Sequence, residues 1–161
     1  LLYTARLCGA QVDEVVYNQN QRVLDKATLE IFAEHAGISS EEENENSLVY
    51  RLTFGKTRVL FMGDLAGEGE EYLLMLEKDL QSDIIEIGHH GSATSSSEEL
   101  LSASGAKYAV ISVGKNNSYN LPSKKVLRRL KTMGFEIFRT DLDGTVAVSI
   151  TPERYTIEKG Y

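Results

Sequence analysis

Two histidines stand side by side, His89 and His90, between Gly88 and Gly91, and Asp64 follows Gly63 at the end of an apolar run. Imidazole nitrogen and carboxylate oxygen together suit zinc, manganese or iron, and a carboxylate can bridge two ions. The flanking glycines let the backbone approach a ligand closely. Gly-Asp after a strand is often only a turn. An adjacent histidine pair is rarer, and two neighbouring rings of one strand cannot both face a core. The third histidine, His35, lies in the polar run Ala33-Glu34-His35-Ala36 and is expected to face solvent. Cys8 is the only cysteine, which excludes an internal disulfide and a cysteine-based zinc cluster.

These residues need strand ends to hold them. Leu48, Tyr50, Leu52 and Phe54 alternate with Val49, Arg51 and Thr53, the period of a strand with one buried face. Gly55-Lys56 turns the chain, and Arg58 to Met62 returns as the hairpin partner, apolar on both faces and so expected inside a covered sheet. That strand ends at Gly63-Asp64. Asp83 to Ile87 is a short buried strand ending at Gly88-His89-His90-Gly91-Ser92. Tyr108 to Val113 is another, leading into the polar loop Gly114 to Asn120. Polar groups on loops at strand ends are the usual place for a site.

Helices fall between the strands. Glu68 to Lys78 places Tyr72, Leu73 and Leu76 on one stripe with acids at its start. Ser96-Ser97-Glu98-Glu99 reads as a capping box leading through Leu100 and Leu101. Ser123 caps a helix with Val126, Leu127, Leu130 and Met133 on one face, stopped by Gly134. Strands at Phe135 to Phe138 and Thr145 to Ile150 flank the turn Asp141 to Gly144, with a last strand near Tyr155 to Ile157. At the other end, a helix at Leu1 to Leu7, a strand over Val12 to Val16 and another over Thr28 to Phe32 precede the acidic loop Gly37 to Asn46. Strand–helix alternation after a hairpin predicts a mixed sheet with helices packed on it, an α/β layer architecture.

At 161 residues the chain is long enough for one domain with a real core. No apolar run approaches the roughly 18 residues that span a bilayer. The opening Leu1-Leu2-Tyr3 has neither the form of a signal peptide nor a starting methionine, so the chain is expected to be part of something longer. Seventeen basic against 24 acidic residues make it a poor general binder of nucleic acid, which it would need a local basic face or a metal ion to handle.

Five blocks occur in order: Asn46-Ser47-Leu48, Leu60 to Leu65, Ile87 to Ser92, Ile111 to Tyr119, and Arg139 to Gly144. Together they resemble the C-terminal half of the metallo-β-lactamase-like domain of ComEC competence proteins, over roughly two-thirds of the chain. The resemblance implies that residues 1–161 are the C-terminal part of one such domain, half of an αββα sandwich with two divalent ions, zinc or manganese, at one edge. Asp64 would be the bridging carboxylate and His89 a metal ligand. His90 would be a ligand or a hydrogen-bonding group behind one. Ser92, Thr94, Lys115, Asn117 and Tyr119 would face the substrate. The family's His-x-His-x-Asp-His motif is absent, which leaves the chain short of a closed two-metal site, and the family's histidine in Asn-x-Tyr-Gly-His-Pro is Leu121 here.

For the intact domain the resemblance implies a metal-dependent phosphodiesterase acting on DNA, single-stranded after uptake, with the upstream half of the same domain as its partner. The parent protein would sit at the cytoplasmic membrane with this domain on the outer face; a soluble setting is the alternative. Lys124, Lys125, Arg128, Arg129 and Lys131, with Lys115 nearby, would form a basic track, although such a set is more often the solvated face of an amphipathic helix. Two other functions compete: hydrolysis of another ester or lactone, and a degenerate interaction module that binds no metal.

Overall fold

The computed structural model describes residues 21–24, 26–32, 47–76 and 79–160. The expected helix at Leu1 to Leu7, the strand over Val12 to Val16, the loop Gly37 to Asn46, Cys8 and His35 lie outside them. Seven strands form one sheet in sequence order: β1 (Gln21–Leu24), β2 (Ala27–Phe32), β3 (Val49–Phe54), β4 (Thr57–Phe61), β5 (Ile84–Glu86), β6 (Tyr108–Ile111) and β7 (Glu136–Arg139). The first four pair antiparallel and β4 to β7 pair parallel, so the sheet is mixed, as the strand–helix pattern predicts. Between them come α1 (Gly67–Leu76), α2 (Glu98–Ser104), α3 (Lys124–Thr132) and the single turn α4 (Thr140–Asp143). A separate hairpin, β8 (Val146–Ile150) with β9 (Tyr155–Lys159), closes the order.

Alternation sorts the sheet's two faces. Leu60, Met62, Ile85, Ile87, Ala109 and Ile111 point to the helices and pack with Leu73, Leu100, Leu101, Val126 and Leu130 into one buried core. Arg51 shares that face and is buried, yet each of its three guanidinium nitrogens is hydrogen-bonded. It donates to Glu30 Oε2 at 2.6 and 3.0 Å and to the Asp79 and Gln81 carbonyls at 3.1 and 3.0 Å. The opposite parity, Leu52, Val59, Phe61, Ile84, Glu86 and Val110, faces Val146, Val148 and Ile150 of β8 across a cavity of about 290 Å³. Gly55, at the β3–β4 turn, abuts the β8–β9 turn. A Cβ there would sit 2.2 Å from Pro152 O, so only glycine fits, and its φ is +60°.

Several sequence expectations need correcting. The capping box from Ser96 to Glu99 does not form: Ser97 is the cap, its hydroxyl accepting from Leu100 N at 3.3 Å. The reason is distant in sequence, because the Glu70 carboxylate takes the backbone N–H groups of Ser96 and Ser97 and turns Ser96 into the left-handed region. β6 stops at Ile111 and not Val113, since the Ser112 carbonyl turns to the His90 ring and Val113 N donates to Thr140 Oγ1 at 2.8 Å. Asp83 is not in β5; its carboxylate accepts Arg58 N at 2.8 Å at the foot of the strand. The expected turn Asp141 to Gly144 is largely the one-turn helix α4.

Candidate functional site

The parallel strands all end at one edge, and that edge gathers the residues singled out by type. β4 runs into Gly63 and Asp64, β5 into Gly88 to Gly91, β6 into Ser112 to Asn120. The first two ends are locked together: His89 N donates to Gly63 O at 2.9 Å, and a Cβ on Gly88 would lie 2.8 Å from Leu65 O. This close approach is what the glycine supplies. His89 and His90 both take left-handed conformations, φ 49° and 53°, which β-carbon-bearing residues adopt at a cost of about 1–3 kcal/mol each.

The turn separates the two imidazoles. Their ring centres are 6.4 Å apart and inclined at 66°. His90 reaches Asp64, Nε2 to Oδ1 3.4 Å, while its Nδ1 lies 2.7 Å from the Ser112 carbonyl oxygen. A carbonyl only accepts, so Nδ1 carries the hydrogen and Nε2 is left facing the carboxylate. A metal-ligating histidine is held in this way, with its second nitrogen donating to a backbone carbonyl. His89 is half-buried beside the pair.

Glu86 completes this corner and was not singled out by the sequence reading. Its carboxylate accepts from Met62 N at 3.2 Å and Gly63 N at 3.3 Å, fixing the backbone that delivers Asp64. Burial pushes its pKa up; the two N–H groups and His90 pull it down, and Asp64 adds to the rise. The signal available was a lone charge inside Ile84-Ile85-Glu86-Ile87.

After the histidines, the loop to α2 is held from both sides. Ser95 Oγ donates to Gly88 O at 2.7 Å and Ser92 O at 3.0 Å. Glu70, 2% exposed, accepts the Ser96 and Ser97 N–H groups, the second at 2.9 Å. Arg129 donates to the Ser95 and Ser96 carbonyls, the first at 3.1 Å. Glu70, Ser95, Ser97 and Arg129 border a cleft of about 640 Å³ that also takes in Thr94 and Lys125. Of the expected substrate-facing residues, Ser92 and Thr94 are brought together, hydroxyl to hydroxyl at 3.0 Å. Asn117 spends its amide inside its own loop, donating to Gly114 O and Leu121 O and accepting from Leu121 N. Lys115 and Tyr119 stand free of that staple, Tyr119 being 80% exposed.

Among the described residues no group of three or more histidine, cysteine, aspartate or glutamate side chains converges to hold a metal ion. Asp64 and His90 have the right chemistry for a divalent cation but are two donors where a site of this kind needs three or four.

Residues 9–115 match the metallo-β-lactamase superfamily. The chain belongs to that superfamily. It is 33% identical over 146 residues to ComE operon protein 3 of Bacillus subtilis (strain 168), an overlap of 91% of this chain and 19% of that protein. Competence protein ComA of Neisseria gonorrhoeae is 40% identical over 106 residues, 65% of this chain and 15% of the relative. Recombination protein 2 of Haemophilus influenzae is 31% identical over 122 residues, 76% and 15% respectively. The chain therefore spans about a fifth or less of the length of these relatives. The resemblance to competence proteins expected from the five sequence blocks holds. Among the described residues, no helix is long and apolar enough to cross a membrane.

Proposed function

We propose that this competence-related hydrolase-fold domain carries one wall of a metal-dependent phosphodiesterase centre whose substrate is DNA, single-stranded during uptake. The observation that supports it is the meeting of Asp64 and His90 at adjacent strand ends, with His90 Nδ1 anchored on Ser112 O so that Nε2 is presented to the carboxylate. Asp64 is the carboxylate that would bridge two ions, zinc or manganese; His90 and His89 are the imidazoles at hand. The remaining ligands would come from the upstream half of the same domain, residues 1–161 being its C-terminal part. Ions held there would supply an activated water, its pKa lowered towards about 7, and positive charge to offset that developing on the phosphoryl oxygens. This chain's own contribution is placement. Glu86 holds the Met62–Gly63 backbone that leads into Asp64, Ser95, Glu70 and Arg129 hold the histidine loop, and Ser92 and Thr94 offer hydroxyls to a phosphoryl oxygen.

In the longer parent this domain would lie on the outer face of the cytoplasmic membrane. A second reading, an interaction module without metal, draws support from Leu121, which stands where the family carries a histidine and can neither ligate a metal nor transfer a proton. Metal content and Mn²⁺-dependent cleavage of single-stranded DNA separate the two. This chain is compared with one extended upstream through the missing motif. Two bound ions and cleavage only in the extended protein, both lost on Asp64→Ala, are the expected outcome. An extended protein that stays metal-free and inert favours the interaction module.

A further inference from the structure

The first turns of the three longer helices are charged in opposite senses. α1 begins with Glu68 and Glu70, and α2 with Glu98 and Glu99, as the positive end of a helix dipole favours. α3 begins with Lys124 and Lys125 and contains no acid at all. Its cations continue through Arg128, Arg129 and Lys131, in a chain whose net charge is −7. Arg129 is committed to the Ser95 and Ser96 carbonyls. Lys124, Lys125, Arg128 and Lys131 are exposed, and among the described residues no ion pair engages them. Lys124 and Lys125 stand against the dipole and unpaired, so they do nothing for the helix that carries them; only Lys131, in the last turn, suits it.

Position gives them a use. Ser123, the cap of α3, donates its N–H to Gly91 O at 2.8 Å, and Pro122 packs on Gly91, so the helix starts beside the histidine pair. It then runs about 14 Å towards the opposite edge of the sheet. Lys124, Arg128 and Lys131, spaced i, i+4 and i+7, share one stripe along it. At its head is the loop carrying Lys115 and the exposed ring of Tyr119.

We propose that the outer face of α3, with Lys115 and Tyr119 at its head, is the track along which a single strand of nucleic acid is led to the Asp64–His90 edge. The lysines and Arg128 meet successive phosphates, and Tyr119 stacks on an unpaired base, which a duplex would not offer it. An anionic membrane is the other polyanion such a face could meet. However, of the apolar residues of α3, Val126 and Leu130 are spent in the core and Leu127 packs against it half-buried, leaving no free apolar face to insert between lipids. The inference rests on the phosphodiesterase reading for its purpose, but its test needs no catalysis.

Binding of a fluorescent oligothymidylate to this chain is measured in EDTA across a range of salt. The same measurement is made on Lys124→Gln/Lys125→Gln/Arg128→Gln and on Lys56→Gln/Lys107→Gln/Arg154→Gln, which removes the same charge at the far end of the strands. Each phosphate contact contributes about 0.7 to the slope of log affinity against log salt. The α3 triple variant is expected to lose about 2 from that slope and at least about tenfold in affinity at low salt, and the far-end triple variant to keep the wild-type slope. Tyr119→Ala is expected to lower affinity about tenfold without changing the slope. Equal losses in the two triple variants overturn the track, as does oligothymidylate binding weaker than binding to phosphatidylglycerol vesicles. If this chain binds no strand while the extended protein still cleaves DNA with Mn²⁺, the track is wrong and the phosphodiesterase reading stands. A track that holds in an extended protein that never cleaves sinks only that reading.

Discussion

The two ends of the parallel strands β4 to β7 are built on different terms. At the end where they begin, backbone and side chains close on each other in ordinary conformations. Asp83 O accepts from Lys107 N at 3.1 Å, Lys107 O from Glu136 N at 3.0 Å, Ser104 O from Ser82 N at 2.8 Å, and the Asp83 carboxylate holds Arg58 N. At the end where they finish, strain collects. Among the described residues every non-glycine with positive φ lies there: His89, His90, Ser96, Asn116 and Asn120. Such conformations persist only where surrounding contacts over-determine them, and they cluster where function demands a particular geometry. Glu70, Arg129 and Ser95 are those contacts for the histidine loop. One end of the sheet holds the fold together and the other is held in place by it.

Two glycines test that asymmetry most severely. Gly91 (φ +79°) would bring a Cβ to 2.6 Å from Pro122 Cβ and 3.3 Å from its Cα, atoms that cannot swing away. Gly105 (φ +59°), at the opposite end, would meet the Gln81 side-chain oxygen at 2.5 Å, the tip of a flexible chain. Gly91→Ala should therefore cost about 3 kcal/mol, backbone strain and overpacking together, and Gly105→Ala about 1 kcal/mol. Urea denaturation of the two variants measures the difference; equal costs would mean that the ring of Pro122 is free to shift.

A smaller effect has the opposite sign. Ser96 combines a φ of +56° with a buried hydroxyl that has no hydrogen-bond partner among the described residues. Ser96→Gly removes both penalties and keeps the backbone N–H that Glu70 accepts, at the expense of a more flexible unfolded chain. A net gain of about 1 kcal/mol is expected. A matching change at the relaxed end, Ser104→Gly, deletes a hydroxyl that donates to Leu101 O at 2.8 Å and accepts from Ala106 N, and should cost about 1 kcal/mol. If both serines respond alike, strain is not confined to the site end.

How far the sequence could be read follows the same division. The β3–β4 hairpin, the Ser123 cap with Gly134 past its helix, and the apolar strands ending at Gly63 and Gly88 are local patterns, and local rules locate them. Asp64 and the histidine pair stand out by type. What could not be read is which ring turns towards Asp64, because that depends on successive left-handed residues that no periodicity encodes. Glu70 looks like an ordinary acid in a helix's first turn, yet its partners Ser96 and Ser97 lie 26 and 27 residues on. Glu86 looks like an interruption in an apolar strand, and its partners precede it by more than 20 residues. Long-range hydrogen bonds to backbone leave no spacing to detect.

The least disruptive probe is pH, because the ends should respond with opposite slopes. Burial raises the Glu70 pKa, against the pull of the Ser97 and Ser96 groups and of Arg129. Its folded value therefore stands above its unfolded one, and the native state binds the proton more tightly between the two. Stability contributed by Glu70 falls as pH rises from the ordinary glutamate range through the raised value, and Glu70→Gln should flatten that part of the curve. Asp79, at the far end, is lowered chiefly by accepting Gln81 N, with burial opposing and Arg51 assisting. Its contribution is present above the ordinary aspartate range and is lost as pH falls through the lowered value, so Asp79→Asn should flatten the acid limb instead. Difference curves of unfolding free energy against pH, each variant against the parent, read the two signs directly. Parallel slopes would show that the Glu70 carboxylate is better solvated than its position behind the histidine loop implies, and that the loop is held by Arg129 and Ser95 alone.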